Sequence, residues 1–171
     1  PGTEFMKKLD ININYAFTNP NKYGVNKLIV SCSDEPGEGE HKLYKYIRDY
    51  PDEHKKFTTV IYGLDADLIM LTLNHLDVAE SMYLYRETPH FIKSLDKSLN
   101  PNCSYLMDIP KFATALAYDL NDNRKPETKQ KLNRIFDYIL LCFFMGNDFL
   151  PHFPALNIRT TGIDRIMDAY K

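Results

Sequence analysis

The sequence predicts an α/β fold built on a parallel sheet. Two short apolar, β-branched runs, KLIVSC at 27–32 and TTVIY at 58–62, are each followed by a helical pattern, and MYLY at 82–85 adds a third run. Strands alternating with helices form right-handed βαβ units, whose strands lie parallel in one sheet. A chain of 171 residues is long enough to bury a sizeable core as one domain. No repeat, low-complexity segment or clear linker divides it.

The elements follow in order. Apolar residues at Phe5, Met6, Leu9, Ile13 and Phe17 step mostly by three and four, which predicts a helix over 3–17. Asn19, Pro20 and Asn21 end it. The run at 27–32 predicts a buried strand, and Pro36 and Gly37 turn the chain. Leu43, Tyr46 and Ile47 mark a helix over 38–50, stopped by Pro51. The strand at 58–62 leads to a helix over 65–73, and then to the strand at 82–85. Residues 88–110 are irregular, with Pro89, Pro101 and Pro110, and predict a long surface connection. Helices follow over 111–120, 129–145 and 162–170, with a polar loop at 121–127 and Gly146 ending the longest. The stripe Phe136, Leu140, Phe143 and Phe144 is expected in the core.

Composition narrows the function. Hydrophobic residues make up 44% and charged residues 26%, as in an ordinary globular protein. No apolar run reaches the roughly 18–20 residues of a membrane-spanning helix, so no membrane role is expected. Twenty-one basic against 23 acidic residues leave a net charge of −2, so nucleic-acid binding must rest on a local site. Cys32, Cys103 and Cys142 show no metal-finger spacing and predict buried reduced thiols. The start carries neither a secretory signal nor an Arg-rich transit pattern, so an intracellular protein is expected. The motifs of serine hydrolases, ATPases and dinucleotide-binding enzymes do not occur.

Three acidic clusters stand out by position. Glu38 and Glu40 in PGEGEHK open a helix after the first expected strand, and Asp65 and Asp67 in YGLDADLIML do so after the second. Asp148 in GNDFLPH lies just past the longest apolar helix. Ligands of open parallel sheets bind beyond the carboxyl ends of the strands, so both acid pairs are expected at one sheet edge. At a loop-to-helix junction the first acid lies outside the helix and the second in its first turn. Both can then reach one point. Carboxylates gathered there repel one another, and a hard divalent cation relieves that repulsion. Oxygen-only ligation suits Mg²⁺ or Mn²⁺, and two such ions can clamp a phosphodiester undergoing hydrolysis. The alternative for each acid is structural. Acids are favoured in a first helical turn by the helix dipole, and Asp65 is a good N-cap. Spacing leaves both readings open. His41 and His152 could be ligands but read as structural histidines. Lys42, Lys45 and Arg48 could approach phosphate but read as a solvated helix face.

On these residues the sequence resembles the XRN 5′→3′ exoribonucleases. The matching stretches are PGTEF at 1–5, PGEGEHK at 36–42, YGLDADLIML at 62–71 and LCFFMGNDFLPHFPALNIR at 141–159, in the order found in that family. The resemblance spans essentially the whole chain. It implies part of a three-layer, parallel-sheet nuclease core related to PIN domains and flap endonucleases. By motif, it assigns Glu38, Glu40, Asp65, Asp67 and Asp148 as catalytic metal ligands for Mg²⁺ or Mn²⁺, with two ions in the complete site. The implied reaction is stepwise hydrolysis of 5′-monophosphorylated single-stranded RNA to nucleoside monophosphates. Family members carry two further aspartates and a basic 5′-phosphate pocket nearer their N-terminus. Residues 1–171 are therefore expected to form the C-terminal part of such a nuclease domain, with its N-terminal part as partner and little activity alone. A flap-endonuclease-like DNA nuclease and a non-catalytic RNA-binding or scaffold remnant are the alternatives.

Overall fold

The computed structural model of the protein describes residues 2–86 and 92–171. It resolves into two compact units, 1–49 and 50–171.

In the first unit, helix α1 runs Glu4–Ala16 and starts where the Thr3 hydroxyl accepts from the Met6 amide at 3.3 Å. A single 3-10 turn, Pro20–Tyr23, follows, and helix α2 runs Gly39–Asp49. Tyr44 and Ile47, three residues apart on α2, are buried. The apolar stripe of α1 is not: Phe5 stands 71% exposed and Phe17 41%.

The strand expected at 27–32 is absent from the sheet. Leu28, Val30 and Cys32 are half-buried in alternation with exposed residues, the period-2 signature of extended backbone. β-Branched composition favours extension, but a strand also needs a hydrogen-bonded neighbour. Here the Lys42 ammonium donates to the Cys32 carbonyl at 2.6 Å, and Asp10 accepts from the Ser33 amide and hydroxyl. Side chains thus hold the segment. Lys42 is consequently not part of a solvated face. Lys45 pairs with Asp49 on the same helix.

The second unit is a mixed α/β body. After the short helix α3, Pro51–His54, strand β1 spans Thr59–Tyr62, helix α4 Asp67–Leu73 and strand β2 Met82–Arg86. A short helix α5, Ile92–Leu95, precedes strand β3, Tyr105–Asp108. Helices α6, Ile109–Asp119, α7, Thr128–Phe143, and α8, Gly162–Tyr170, complete it. The sheet order is β1-β2-β3. β1 and β2 are parallel, with Ile61 opposite Leu84 and Tyr62 opposite Tyr85, as the βαβ pattern requires.

β3 pairs antiparallel to β2 and corrects the expectation of a structureless connection over 88–110. Residues 88–91 of that stretch lie outside the described residues. Tyr105–Asp108 holds only four residues beside prolines, too short to show a period by itself. Its pairing with β2 makes it a strand.

One face of the sheet carries the core. Met82 and Leu84 alternate along β2 and are buried beneath α4 and α6. Leu68, Thr72 and Leu73 come from α4, and Ile109, Ala113 and Ala117 from every fourth position of α6. The small residues on α6 let it approach α7 and the sheet closely. α7 contributes Ile135. The stripe placed in the core from sequence is not there. Phe136 is 38%, Leu140 57%, Phe143 47% and Phe144 43% exposed. Together with Leu150, Pro151 and Phe153, three of these residues line an open apolar groove. The thiols differ from expectation in burial, with Cys103 exposed and Cys32 and Cys142 half-buried, while none of the three is joined in a disulfide.

Candidate metal centre

Gly37 adopts φ +102°, a left-handed conformation that turns the chain into α2. Glu38 lies immediately before the helix, and its carbonyl accepts from the Lys42 amide at 3.0 Å as the first helical bond. Glu40 falls in the first turn. This is the outside-then-inside placement expected of a pair at a loop-to-helix junction.

His41 stands one helical step from Glu38, at i+3, and its Nε2 is 3.7 Å from the Glu38 carboxylate. Glu38, Glu40 and His41 each present one ligand atom, and these atoms lie within 4.8 Å of one another. Donors about 2.1 Å from a single ion sit at most about 4.2 Å apart. The triplet therefore closes onto a small divalent cation with modest side-chain rotation. Two carboxylates and an imidazole also match the donor chemistry of such ions, the nitrogen favouring Mn²⁺ or Zn²⁺ over Mg²⁺. The sequence reading left His41 outside the site; its adjacency to Glu40 and i+3 spacing from Glu38 were the available signal.

Asp65 and Asp67 belong to the second unit, and the sheet delivers them. β1 ends at Tyr62 and Asp65 follows its carboxyl end. The Asp67 amide points back to the Asp65 carboxylate at 3.4 Å, and Asp67 is the first residue of α4. Both are exposed. With 27–32 out of the sheet, one acid pair rather than two follows a sheet strand. Asp148 is exposed in the loop after α7. Gly146 turns that loop at φ +84°, and the Asn147 side chain accepts from the Phe149 and Leu150 amides at 2.9 and 2.8 Å. Among the described residues, the group of three or more ligating side chains brought together is Glu38, Glu40 and His41. Asp65, Asp67 and Asp148 form no such group. His152 lies against the Phe153 carbonyl at 3.1 Å, a structural contact.

A family model described as the XRN 5′-3′ exonuclease N-terminus matches residues 1–88, and one described as the Xrn1 helical domain matches residues 129–171. The chain is 36% identical over 183 residues to 5′-3′ exoribonuclease 1 of Schizosaccharomyces pombe, covering all of this chain and 14% of that protein. It is 31% identical over 207 residues to 5′-3′ exoribonuclease 2 of Arabidopsis thaliana, covering all of this chain and 20% of that one. With 5′-3′ exoribonuclease 2 of Saccharomyces cerevisiae it shares 33% identity over 198 residues, covering all of this chain and 19% of that protein. The chain thus spans a fifth or less of the length of these three relatives. The exonuclease model takes in EGEHK and DAD together, more than half of the chain, so the chain belongs to the XRN 5′→3′ exonuclease family.

Proposed function

We propose that this chain contributes part of the acidic centre of a divalent-metal-dependent 5′→3′ exoribonuclease. The observation that carries the reading is the convergence of Glu38, Glu40 and His41 within 4.8 Å, in a segment matched by the exonuclease family model. In this reading Glu38, Glu40, Asp65, Asp67 and Asp148 are the acids that serve as metal ligands in the complete enzyme, and Mg²⁺ or Mn²⁺ is the metal. A bound ion supplies an activated water and neutralises charge building on the phosphate. The protein's own part is to hold its carboxylates at helix starts, where the dipole favours their charge, and to keep them open to substrate. The substrate is single-stranded RNA with a 5′-monophosphate and the products are nucleoside monophosphates. The N-terminal part of the nuclease domain is the structural partner, and residues 1–171 form its C-terminal part. Three cysteines outside any disulfide accord with an intracellular setting.

The test is substitution in the full-length protein. Asp65→Ala, Asp67→Ala and Asp148→Ala are each expected to lower RNA turnover by at least a hundredfold while the circular dichroism spectrum stays native. Glu40→Gln is expected to weaken Mn²⁺ binding, read by calorimetry. Near-normal turnover in any aspartate variant removes that residue from the site. Unchanged Mn²⁺ affinity in Glu40→Gln refutes the metal centre.

A further inference from the structure

We infer that Arg86 is a positioning residue for the Asp65–Ala66–Asp67 acidic turn. It ends β2, the strand beside β1. Where β1 stops, the chain crosses residues 63–66 before α4 begins. Two consecutive residues of this crossing are tied to the end of β2. The Gly63 amide donates to the Tyr85 carbonyl at 3.2 Å, and the Arg86 guanidinium donates to the Leu64 carbonyl at 2.7 Å. On the far side, the Asp67 amide contacts the Asp65 carboxylate and Leu68 is buried in the core.

Asp65 therefore sits between two anchors, the Arg86 bond at Leu64 and the buried first turn of α4. Leu64 and Asp65 are both solvent-exposed, so apolar packing does little to fix this stretch. A charge-assisted bond of 2.7 Å is at the strong end for protein hydrogen bonds. The Leu64 carbonyl precedes Asp65 by one peptide unit. Releasing it frees the backbone dihedrals that aim the Asp65 carboxylate. Arginine suits the task because its planar fork holds direction, whereas a lysine ammonium acts as a swivelling point charge. Residues that orient metal-binding groups commonly govern metal affinity without touching the ion.

The inference rests on the metal-centre reading for its functional consequence, but the bracing itself can be measured without metal. Amide exchange is followed in the 171-residue chain without metal, for the native protein, Arg86→Ala and Arg86→Lys. Exchange at Gly63 and Asp67, the hydrogen-bonded amides on either side of this turn, should rise at least tenfold in Arg86→Ala, with Leu73 and Leu84 unchanged, and should be partly restored in Arg86→Lys. In the full-length protein, Arg86→Ala should weaken Mn²⁺ binding about tenfold or more. It should lower kcat for RNA with little change in KM. Exchange at Gly63 and Asp67 within twofold of native, or an equal rise at Leu84, overturns the positioning role. Faster exchange at Gly63 and Asp67 with unchanged Mn²⁺ affinity overturns its link to the metal. If Asp65→Ala also leaves Mn²⁺ affinity unchanged, the fault lies in the metal-centre reading, and the exchange result still decides the brace.

Discussion

Gly146→Ala should loosen the loop that carries Asp148, and the structure sets the size of the effect. Gly146 adopts φ +84°, and a Cβ there would lie 2.7 Å from the His152 amide nitrogen, 3.1 Å from its Cα and 3.1 Å from the Leu150 carbonyl oxygen. All three are backbone atoms, so no side chain can swing away. A left-handed conformation costs an L-residue about 1–2 kcal/mol. Forcing backbone aside adds about 1–3 kcal/mol, as overpacking does elsewhere. The expected cost is therefore about 2–5 kcal/mol. Gly24 is the control: its φ is +66°, but nothing lies within 4 Å of its added Cβ, so Gly24→Ala carries only the conformational part. Amide exchange reads the loop directly. The Asn147 amide bonds the Leu150 carbonyl at 2.9 Å, and the Phe153 amide bonds the Phe144 carbonyl at 2.8 Å. A loss of about 2 kcal/mol raises the opening equilibrium at these amides about thirtyfold. If Gly146→Ala costs no more than Gly24→Ala in guanidinium unfolding, or if both amides exchange within twofold of native, the steric argument fails.

Two further predictions separate burial from hydrophobicity and cap from charge. Ile135→Ala, at 2% exposure on α7, should cost about 2–5 kcal/mol; Leu140→Gln, at 57% exposure on the same helix, should cost under about 0.5 kcal/mol. Equal losses in urea unfolding would return the α7 stripe to the core. Asp108 caps α6, and the Lys111 backbone amide donating to its carboxylate at 2.9 Å is the leading cause that holds its pKa below the usual value. A lowered native pKa gives stability that is full above the unfolded carboxylate pKa of about 3.9 and is lost as pH falls through the native value. Asp108→Asn keeps a capping oxygen but cannot titrate. Its deficit against the native protein should shrink as pH drops from 6 towards 2, and a constant difference over that range would refute the assignment.

Among the described residues, α1, α2, α4, α6, α7 and α8 were legible in the sequence from periodicity and punctuating residues, whereas the short α3 and α5 were not. Thr3 caps α1, Glu127 and Gln130 form a reciprocal capping box on α7, and Gly146 ends the chain's helical run there. The acid positions were legible for the same reason: Glu38 precedes α2, Asp65 precedes α4, and the second acid of each pair falls in the first turn. The family was legible because its motifs are long contiguous strings. Strand pairing was a different matter. KLIVSC and TTVIY look alike, yet only the second finds a ladder partner, and the short YLMD becomes a strand because β2 offers it an edge.

Local chemistry by itself therefore determined where the longer helices of this chain lie, where its carboxylates stand and which family it joins. The tertiary structure decided which extended segment entered the sheet, which face of α7 met solvent, and that Arg86 reaches the turn bearing Asp65. The reason is that caps, turns and periodicity act within a few residues. Ladder bonds, burial and contacts such as Arg86 to Leu64, 22 residues apart, depend on a partner that the local sequence does not name.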